Sequence, residues 1–285
     1  MTLRPAVPRI TGTTQVLAHL GYPTHSFKAP VIYNPWFAHA GIDAVVVPMA
    51  CRAADFPQVL RSIFALENVR GALVTMPHKV SVVDLLDTTT AAVRIAGACN
   101  AVRRLPDGRL AGDQFDGEGF VRGLRRKGMV LGGASALVVG CGGVGSAIAA
   151  SLAGAGVARM ALFDTRPAAA DSLAGRLAAH YPDLQLATGG RDPRGFDLVV
   201  NSTPLGMQPG DDLPVDVARL DAGTMVGEVV LTEALTPFLR AARERGCAVQ
   251  VGTDMLFEMI PAYLEFFGLP STTPETLRSL AQLEA

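Results

Sequence analysis

The sequence predicts an α/β protein of two domains, and three observations carry that prediction. Short apolar runs alternate with helical patterns through residues 136–251. A cluster of glycines falls between one such run and the helix after it. Two more helical patterns follow residue 251, and the preceding sheet needs neither. With 285 residues, the chain is long enough for two domains and a substantial core. It is 49% hydrophobic and only 18% charged, so a membrane span has to be tested first. The candidate is residues 128–158, which carry no charge, but nine of these 31 residues are glycine. Each interior glycine costs a helix about 1 kcal/mol, and a spanning helix wants about 20 mostly apolar residues. A strand, a glycine turn and a helix account for the segment better.

In chain order, residues 15–20 and 44–48 read as strands with a helix at 33–40 between them. A helix at 56–66, a strand at 71–75 and a helix at 82–86 complete a less regular first half. In the second half the apolar run 136–139 is followed by an alanine-rich helix at 146–155 and a strand at 158–163. Pro167, welcome in a first turn, opens a helix toward His180. Strands follow at 184–187, 196–200 and 224–229, then an amphipathic helix at 235–245 closing at Gly246, and a last strand at 248–251. Short strands alternating with helices imply a parallel sheet covered on both faces. Helices at 255–267 and from Pro274 are expected to return to the first domain, with junctions at 112–119 and 251–253. The expected domains are 1–115 with 252–285, and 116–251.

Several function classes fall away. Net charge is −1, with 25 basic and 26 acidic residues, so no nucleic-acid footprint is present. The first 12 residues hold Arg4 and Arg9 without an apolar stretch, which does not read as a secretory signal. Cys51, Cys99, Cys141 and Cys247 are scattered, with no CxxC pair or histidine cluster. The expectation is therefore no metal site, no disulfide framework, no membrane and a cytoplasmic location.

The glycine cluster is GCGGVG, Gly140 to Gly145, with Gly142, Gly143 and Val144 inside it. Residues without Cβ atoms let the backbone approach a pyrophosphate, whose charge meets the N–H groups of the helix start. Asp164 closes the following strand, where an acidic residue accepts the ribose hydroxyls of a dinucleotide. A 2′-phosphate about 5 Å away would be repelled by about 3 kcal/mol per unit charge at an effective dielectric of 20. Asp164 therefore favours NAD over NADP, while Arg166, beyond Thr165, offers a cation to hold a phosphate. Helix capping is the plain structural alternative for Asp164. In the first half, GALVTMPHK from Gly71 to Lys79 presents His78 and Lys79 at the carboxyl edge of a sheet, where ligands bind in open α/β folds. His78 reads more readily as a packing residue than as a catalyst. GDQFDGEG, from Gly112 to Gly119, is a glycine-flanked acidic turn.

Taken in order, these segments resemble the shikimate dehydrogenase family over nearly the whole chain. His25-Ser-Phe-Lys-Ala-Pro30 is similar to its HSxSP loop, and Gly71 to Lys79 to its GxNVTxPxK segment. Gly97-Ala-Cys-Asn100 is similar to GAxN, and Gly112 to Gly117 to GDNTDG. Asn201 to Met207 resembles the NxTxxGM loop beside the cofactor, and Gly252 to Leu256 the GxxML segment. The resemblance implies an N-terminal α/β substrate domain and a Rossmann-type doubly wound dinucleotide-binding domain. It implies hydride transfer between NAD, or NADP, and a ring hydroxyl of a cyclic hydroxy acid, in a monomer or homodimer. Lys79 and Asp116 match its catalytic pair in the cleft between domains. Ser26, Thr75 and Asn100 match substrate positions, and Thr203, Val229 and Gly252 join the glycine cluster, Asp164, Thr165 and Arg166 in the cofactor set.

The departures lie on the substrate side. Lys28 stands for a loop serine, Leu73 for the asparagine before VT, Leu231 for the DxxY tyrosine and Met259 for the glutamine after GxxML. Glu228 replaces the aspartate of DxxY. A site without its hydrogen-bonding partners reads hydroxyls poorly, whereas Lys28 suits a carboxylate. The expected preference is for a less hydroxylated or bulkier acid than shikimate. Two alternatives stay open: NAD-linked quinate oxidation, and a cofactor-binding sensor, which would have no use for the Lys79 and Asp116 pair.

Overall fold

The computed structural model describes residues 8–25 and 27–282. The chain divides into two compact units, Met1–Val93 with Ala98–Gln114 and Ile260–Ala285, and Arg94–Gly97 with Phe115–Met259.

In the first unit β1 (Gln15–Gly21), α1 (Ala29–Ala40), β2 (Ala44–Ala50), α2 (Phe56–Phe64) and β3 (Val69–Val74) follow one another. A 3₁₀ turn (Val83–Leu85), β4 (Thr88–Thr89), α3 (Ala91–Ala96, which counts with the second unit from Arg94 on), β5 (Ala101–Arg104) and β6 (Leu110–Asp113) come next. The helical crossovers make β1 parallel to both β2 and β3. β5 then runs antiparallel to β3 and β6, so the sheet is mixed, in the order β2-β1-β3-β5-β6-β4. Helix α2 buries Phe56, Leu60, Ile63 and Phe64, one apolar stripe at helical spacing. Ala18 and Leu20 of β1 and Ala72 and Val74 of β3 share a buried cluster with it. Leu17, His19 and Gly21 alternate with them and therefore point to the opposite face.

The second unit starts with α4 (Asp116–Arg126), β7 (Ser135–Val139), α5 (Gly143–Gly154), β8 (Arg159–Phe163), α6 (Pro167–His180) and β9 (Gln185–Thr188). It continues with β10 (Leu198–Asn201), a 3₁₀ turn (Val217–Arg219), β11 (Met225–Glu228), α7 (Pro237–Glu244), β12 (Ala248–Gln250) and α8 (Gly252–Phe266). All pairings are parallel, and the order β12-β11-β10-β7-β8-β9 is that of a doubly wound dinucleotide fold. Every residue of β7 and β10 is buried, as strands covered on both faces require.

α8 from Ile260 onward and α9 (Pro274–Leu280) belong to the first unit. There the Tyr263 hydroxyl donates to the Asn100 carbonyl at 3.4 Å, and Gln282 N–H donates to the Val31 carbonyl of α1 at 2.9 Å. Gly71 is required because any side chain there would run into the Phe267 ring.

Sequence and structure differ mainly between residues 82 and 126. The helix expected at 82–86 is only a 3₁₀ turn, and β4, α3, β5, β6 and α4 all fall where the sequence predicts no element or, at 112–119, a domain junction. Strands of two to four residues carry too little periodicity to see. The β5–β6 hairpin did leave a signal: Leu105-Pro-Asp-Gly108 is a turn sequence, and Gly108 takes φ +88° in it. Among the described residues no helix is long and apolar enough to cross a membrane.

Candidate active site

In the second unit the switch point of the sheet lies between β7 and β10, and the glycine turn fills it. Gly140 follows β7 with φ +99°, a left-handed conformation that strains any L side chain. A Cβ there would also come within 2.9 Å of the Ser202 backbone. Helix α5 starts at Gly143, so helix geometry leaves the N–H groups of its first turn without intrahelical partners. Gly142 and Gly143 are exposed, with no atom within 4 Å of where a side chain would sit, while a side chain at Gly145 would collide with the Gly140 carbonyl. Val144 is half-buried between them. These residues fit a pyrophosphate: an open cradle of backbone donors on one side, and a tight helix-to-turn contact on the other.

Asp164 sits one residue past β8 and is stitched into the turn. It accepts from Cys141 N–H at 2.8 Å and from Arg166 N–H at 2.9 Å. Burial pushes its carboxyl up, but these two donors and the Arg166 guanidinium, 3.5 Å away, outweigh burial and hold it below the usual range. It does not cap α6, whose N-cap is Arg166. Each carboxylate oxygen keeps acceptor capacity for ribose hydroxyls. Arg166 is 75% exposed and Thr165 is exposed.

Across the switch point Asn201, fully buried, orders the next loop. Its Oδ1 accepts from the Thr203 N–H at 3.1 Å and hydroxyl at 2.7 Å, and its Nδ2 donates to the Leu205 carbonyl. Half-buried Val229 donates its N–H to the Asn201 carbonyl, and a side chain at Gly252 would strike the Val230 carbonyl. Glu228, 1% exposed at the end of β11, accepts from the Thr236 hydroxyl at 3.0 Å. Burial raises its carboxyl to about 7, against the hydrogen bonds from Thr236 and Asn201. Leu231 is 47% exposed in the following loop, and Met259 packs its Cβ against Gly119 of α4. Asp116 opens α4 and is buried, in the first turn where the helix dipole favours a carboxylate.

In the first unit the carboxyl ends of β1 and β3 hold the other residues. Thr75 N–H continues the ladder to the Leu20 carbonyl at 2.9 Å, and His78 N–H closes a turn onto the Thr75 carbonyl. Lys79 is half-buried, and its carbonyl accepts from Cys99 N–H at 2.7 Å. Asn100, fully buried, accepts from Val74 N–H with its own carbonyl. Backbone bonds thus draw Thr75, Lys79 and Asn100 to one sheet edge. His78 is a packing residue: its ring stacks on Phe56 at 4.0 Å and its Nε2 bonds the Cys51 carbonyl. Leu73, 4% exposed, lies between His19 and Ala101 in the sheet register. Lys28 is exposed at the start of α1, and Ser26 lies outside the described residues.

One buried polar residue at this edge escapes a reading by motif. His19, in an otherwise apolar strand, is 9% exposed and stacks on Phe27 at 4.0 Å. Burial, and then the charge of Lys79, lower its pKa to about 4, so the ring is neutral.

A doubly wound sheet with a glycine turn and a strand-end aspartate at its switch point is the architecture of dinucleotide-dependent dehydrogenases. Comparison with known proteins narrows that class. Residues 20–102 match the shikimate dehydrogenase substrate binding domain. The chain is 35% identical to the shikimate dehydrogenase (NADP(+)) of Rhodospirillum rubrum over 277 residues, 95% of this chain and 98% of that one. The shikimate 5-dehydrogenase of Listeria monocytogenes, solved in complex with shikimate and NAD, superposes with a TM-score of 0.89 at 25% identity, over 95% of this chain and 98% of that one. The quinate dehydrogenase of Corynebacterium glutamicum, in complex with NAD, gives 0.83 at 28% identity over 94% and 98%. The chain belongs to the shikimate dehydrogenase family and is an oxidoreductase of that kind.

Proposed function

We propose that the protein interconverts a ring hydroxyl and the corresponding ketone of a cyclic hydroxy acid, shikimate or a relative of it, using NAD in preference to NADP. Beyond family membership, the observation that carries this reading is Lys79. It is a half-buried amine at the carboxyl end of β3, held on the same edge as Thr75 and Asn100. The bound nicotinamide supplies the hydride acceptor, or the donor in the reverse direction. When the hydroxyl is oxidised, neutral Lys79 takes its proton; when the ketone is reduced, the Lys79 ammonium returns it to the forming oxygen. Asp116 is assigned the carboxylate role, hydrogen-bonding the substrate hydroxyl, and Thr75 and Asn100 orient the ring. Ser26 and Lys28 are assigned to the acid's carboxylate.

The NAD preference rests on Asp164, whose negative charge at the end of β8 opposes a 2′-phosphate. Exposed Arg166 is the residue through which NADP would still be accepted. Asp164 also favours a second reading, quinate oxidation with NAD. Leu73, Leu231, Met259 and Lys28 support a preference for an acid with fewer hydroxyls or greater bulk than shikimate, with shikimate itself turned over weakly.

The test is a matrix of initial rates: shikimate, quinate and mono-deoxy analogues of each, against NAD and NADP, read as formation of reduced cofactor. Turnover of at least one acid, faster with NAD, is expected. No turnover of any acid with either cofactor refutes the reading.

A further inference from the structure

Strand β1 reads Gln15-Val-Leu-Ala-His-Leu-Gly21, and its one titratable side chain is sealed in the middle of the sheet. A core histidine ordinarily secures its ring by hydrogen bonding, as His78 does with the Cys51 carbonyl. The Nδ1 of His19 is buried and has no partner among the described residues; His78 shares that feature at its own Nδ1, but its Nε2 is bonded. The cost of leaving such a group dry, about 1–3 kcal/mol, makes this an expensive way to fill a core position. Val or Ile would fill it more cheaply and suit a strand better.

The position explains the cost. In the parallel register His19 stands beside Leu73 of β3 on one side and beside exposed Pro48 of β2 on the other. Register partners in a parallel pair project to the same face, so His19 and Leu73 share one. Two residues on, Gly21 continues that face, and a Cβ there would come within 2.5 Å of Thr75 Cγ2 and 2.7 Å of Phe27 Cζ. The same Phe27 ring stacks on His19. His19, Thr75, Phe27 and Leu73 are therefore one cluster at the edge that also carries Lys79, whose charge is felt at the imidazole.

We propose that His19 is a specificity-determining residue, whose imidazole hydrogen-bonds a substrate hydroxyl next to the reacting one. The inference rests on the functional reading above. Leu73 offers that hydroxyl nothing, and the imidazole one strand over offers a donor or an acceptor at the same level of the sheet. Phe27 holds the ring plane, and its place between Ser26 and Lys28 ties the imidazole to the loop assigned to the acid's carboxylate.

The experiment compares wild type, His19→Val and His19→Gln on whichever of shikimate or quinate the wild type turns over faster, and on the mono-deoxy analogues that keep the reacting hydroxyl. His19→Val is expected to lower kcat/KM for the full substrate by about 10- to 100-fold, mostly through KM. For the analogue lacking the hydroxyl that His19 reads, the loss should stay within about threefold, because no hydrogen bond is left to lose. His19→Gln should recover part of the discrimination. Cofactor Kd and Tm accompany each variant; a merely structural histidine would move Tm and leave the ratio between substrate and analogue as it was. Equal losses on substrate and analogues, or no loss at all, overturn the proposal while leaving the dehydrogenase reading intact. Absence of wild-type turnover on every compound overturns both.

Discussion

The two sheet edges are built on opposite plans. Where β7, β8 and β10 end, polar side chains are spent on the protein itself. Asp164 binds two backbone N–H groups, Ser202 donates to the carbonyls of Val139 and Gly140, and Asn201 holds Thr203 and Leu205. Where β1 and β3 end, a buried imidazole keeps a nitrogen without a partner among the described residues, and its neighbour in the sheet is a leucine. The contrast follows from the ligands each edge is proposed to meet. A dinucleotide presents the same pyrophosphate and ribose every time, so backbone donors set by glycine geometry suffice. A small acid has to be told from other small acids, which takes side chains whose hydrogen bonds await it.

Breaking the chemistry should give the largest effect. Lys79→Ala is expected to cut kcat by about 10²–10⁴-fold, as loss of a general acid–base does, with cofactor Kd within about twofold of wild type. A sensor would instead be indifferent to the substitution, binding cofactor equally with and without Lys79 and turning over no acid in either form.

Gly140→Ala tests the other edge. Its φ of +99° and the nearby Ser202 backbone leave no room for a methyl group. The expected result is a cofactor Kd raised by at least about tenfold, alongside a stability loss of about 1–3 kcal/mol. Calorimetric titration with NAD reads the first, and thermal unfolding the second. Asp164→Asn is gentler: it removes the charge and keeps one acceptor oxygen. The ratio of kcat/KM for NAD over NADP should fall by about 10- to 100-fold, less than the full repulsion because Arg166 already screens it. An unchanged ratio would detach cofactor choice from Asp164.

These edges were not equally legible in the sequence. Gly140 and Asp164 could be found because left-handed backbone and close helix packing admit few residues, so geometry writes itself into identity. The parallel second sheet was legible for a related reason: its central strands β7 and β10, buried on both faces, read as short apolar runs. The stretch from β4 to α4 was not, because its strands are short and their pairing is set by tertiary partners. His19 was hidden differently. By strand periodicity it counts as one more core position, and only its register with Leu73, on a strand far along the chain, reveals what it stands beside.

The last effect touches stability alone and concerns Glu228, a buried carboxyl of the second unit shifted upward. Glu228 is held at about 7 by burial, against an unfolded value near 4.5. Between these values the folded chain binds the extra proton, so its stability falls as pH rises from about 4.5 to 7 and stays reduced above that. Glu228→Gln removes the ionisation and keeps an oxygen to accept from the Thr236 hydroxyl. The variant should match wild type in stability near pH 4.5 and gain on it steadily, reaching up to about 3 kcal/mol by pH 8, a gain the unpaired amide hydrogens reduce. Paired thermal melts across that range decide the point. Parallel curves for the two proteins would mean that Glu228 ionises without cost, and that the β11 end of the cofactor edge is wetter than its 1% exposure implies.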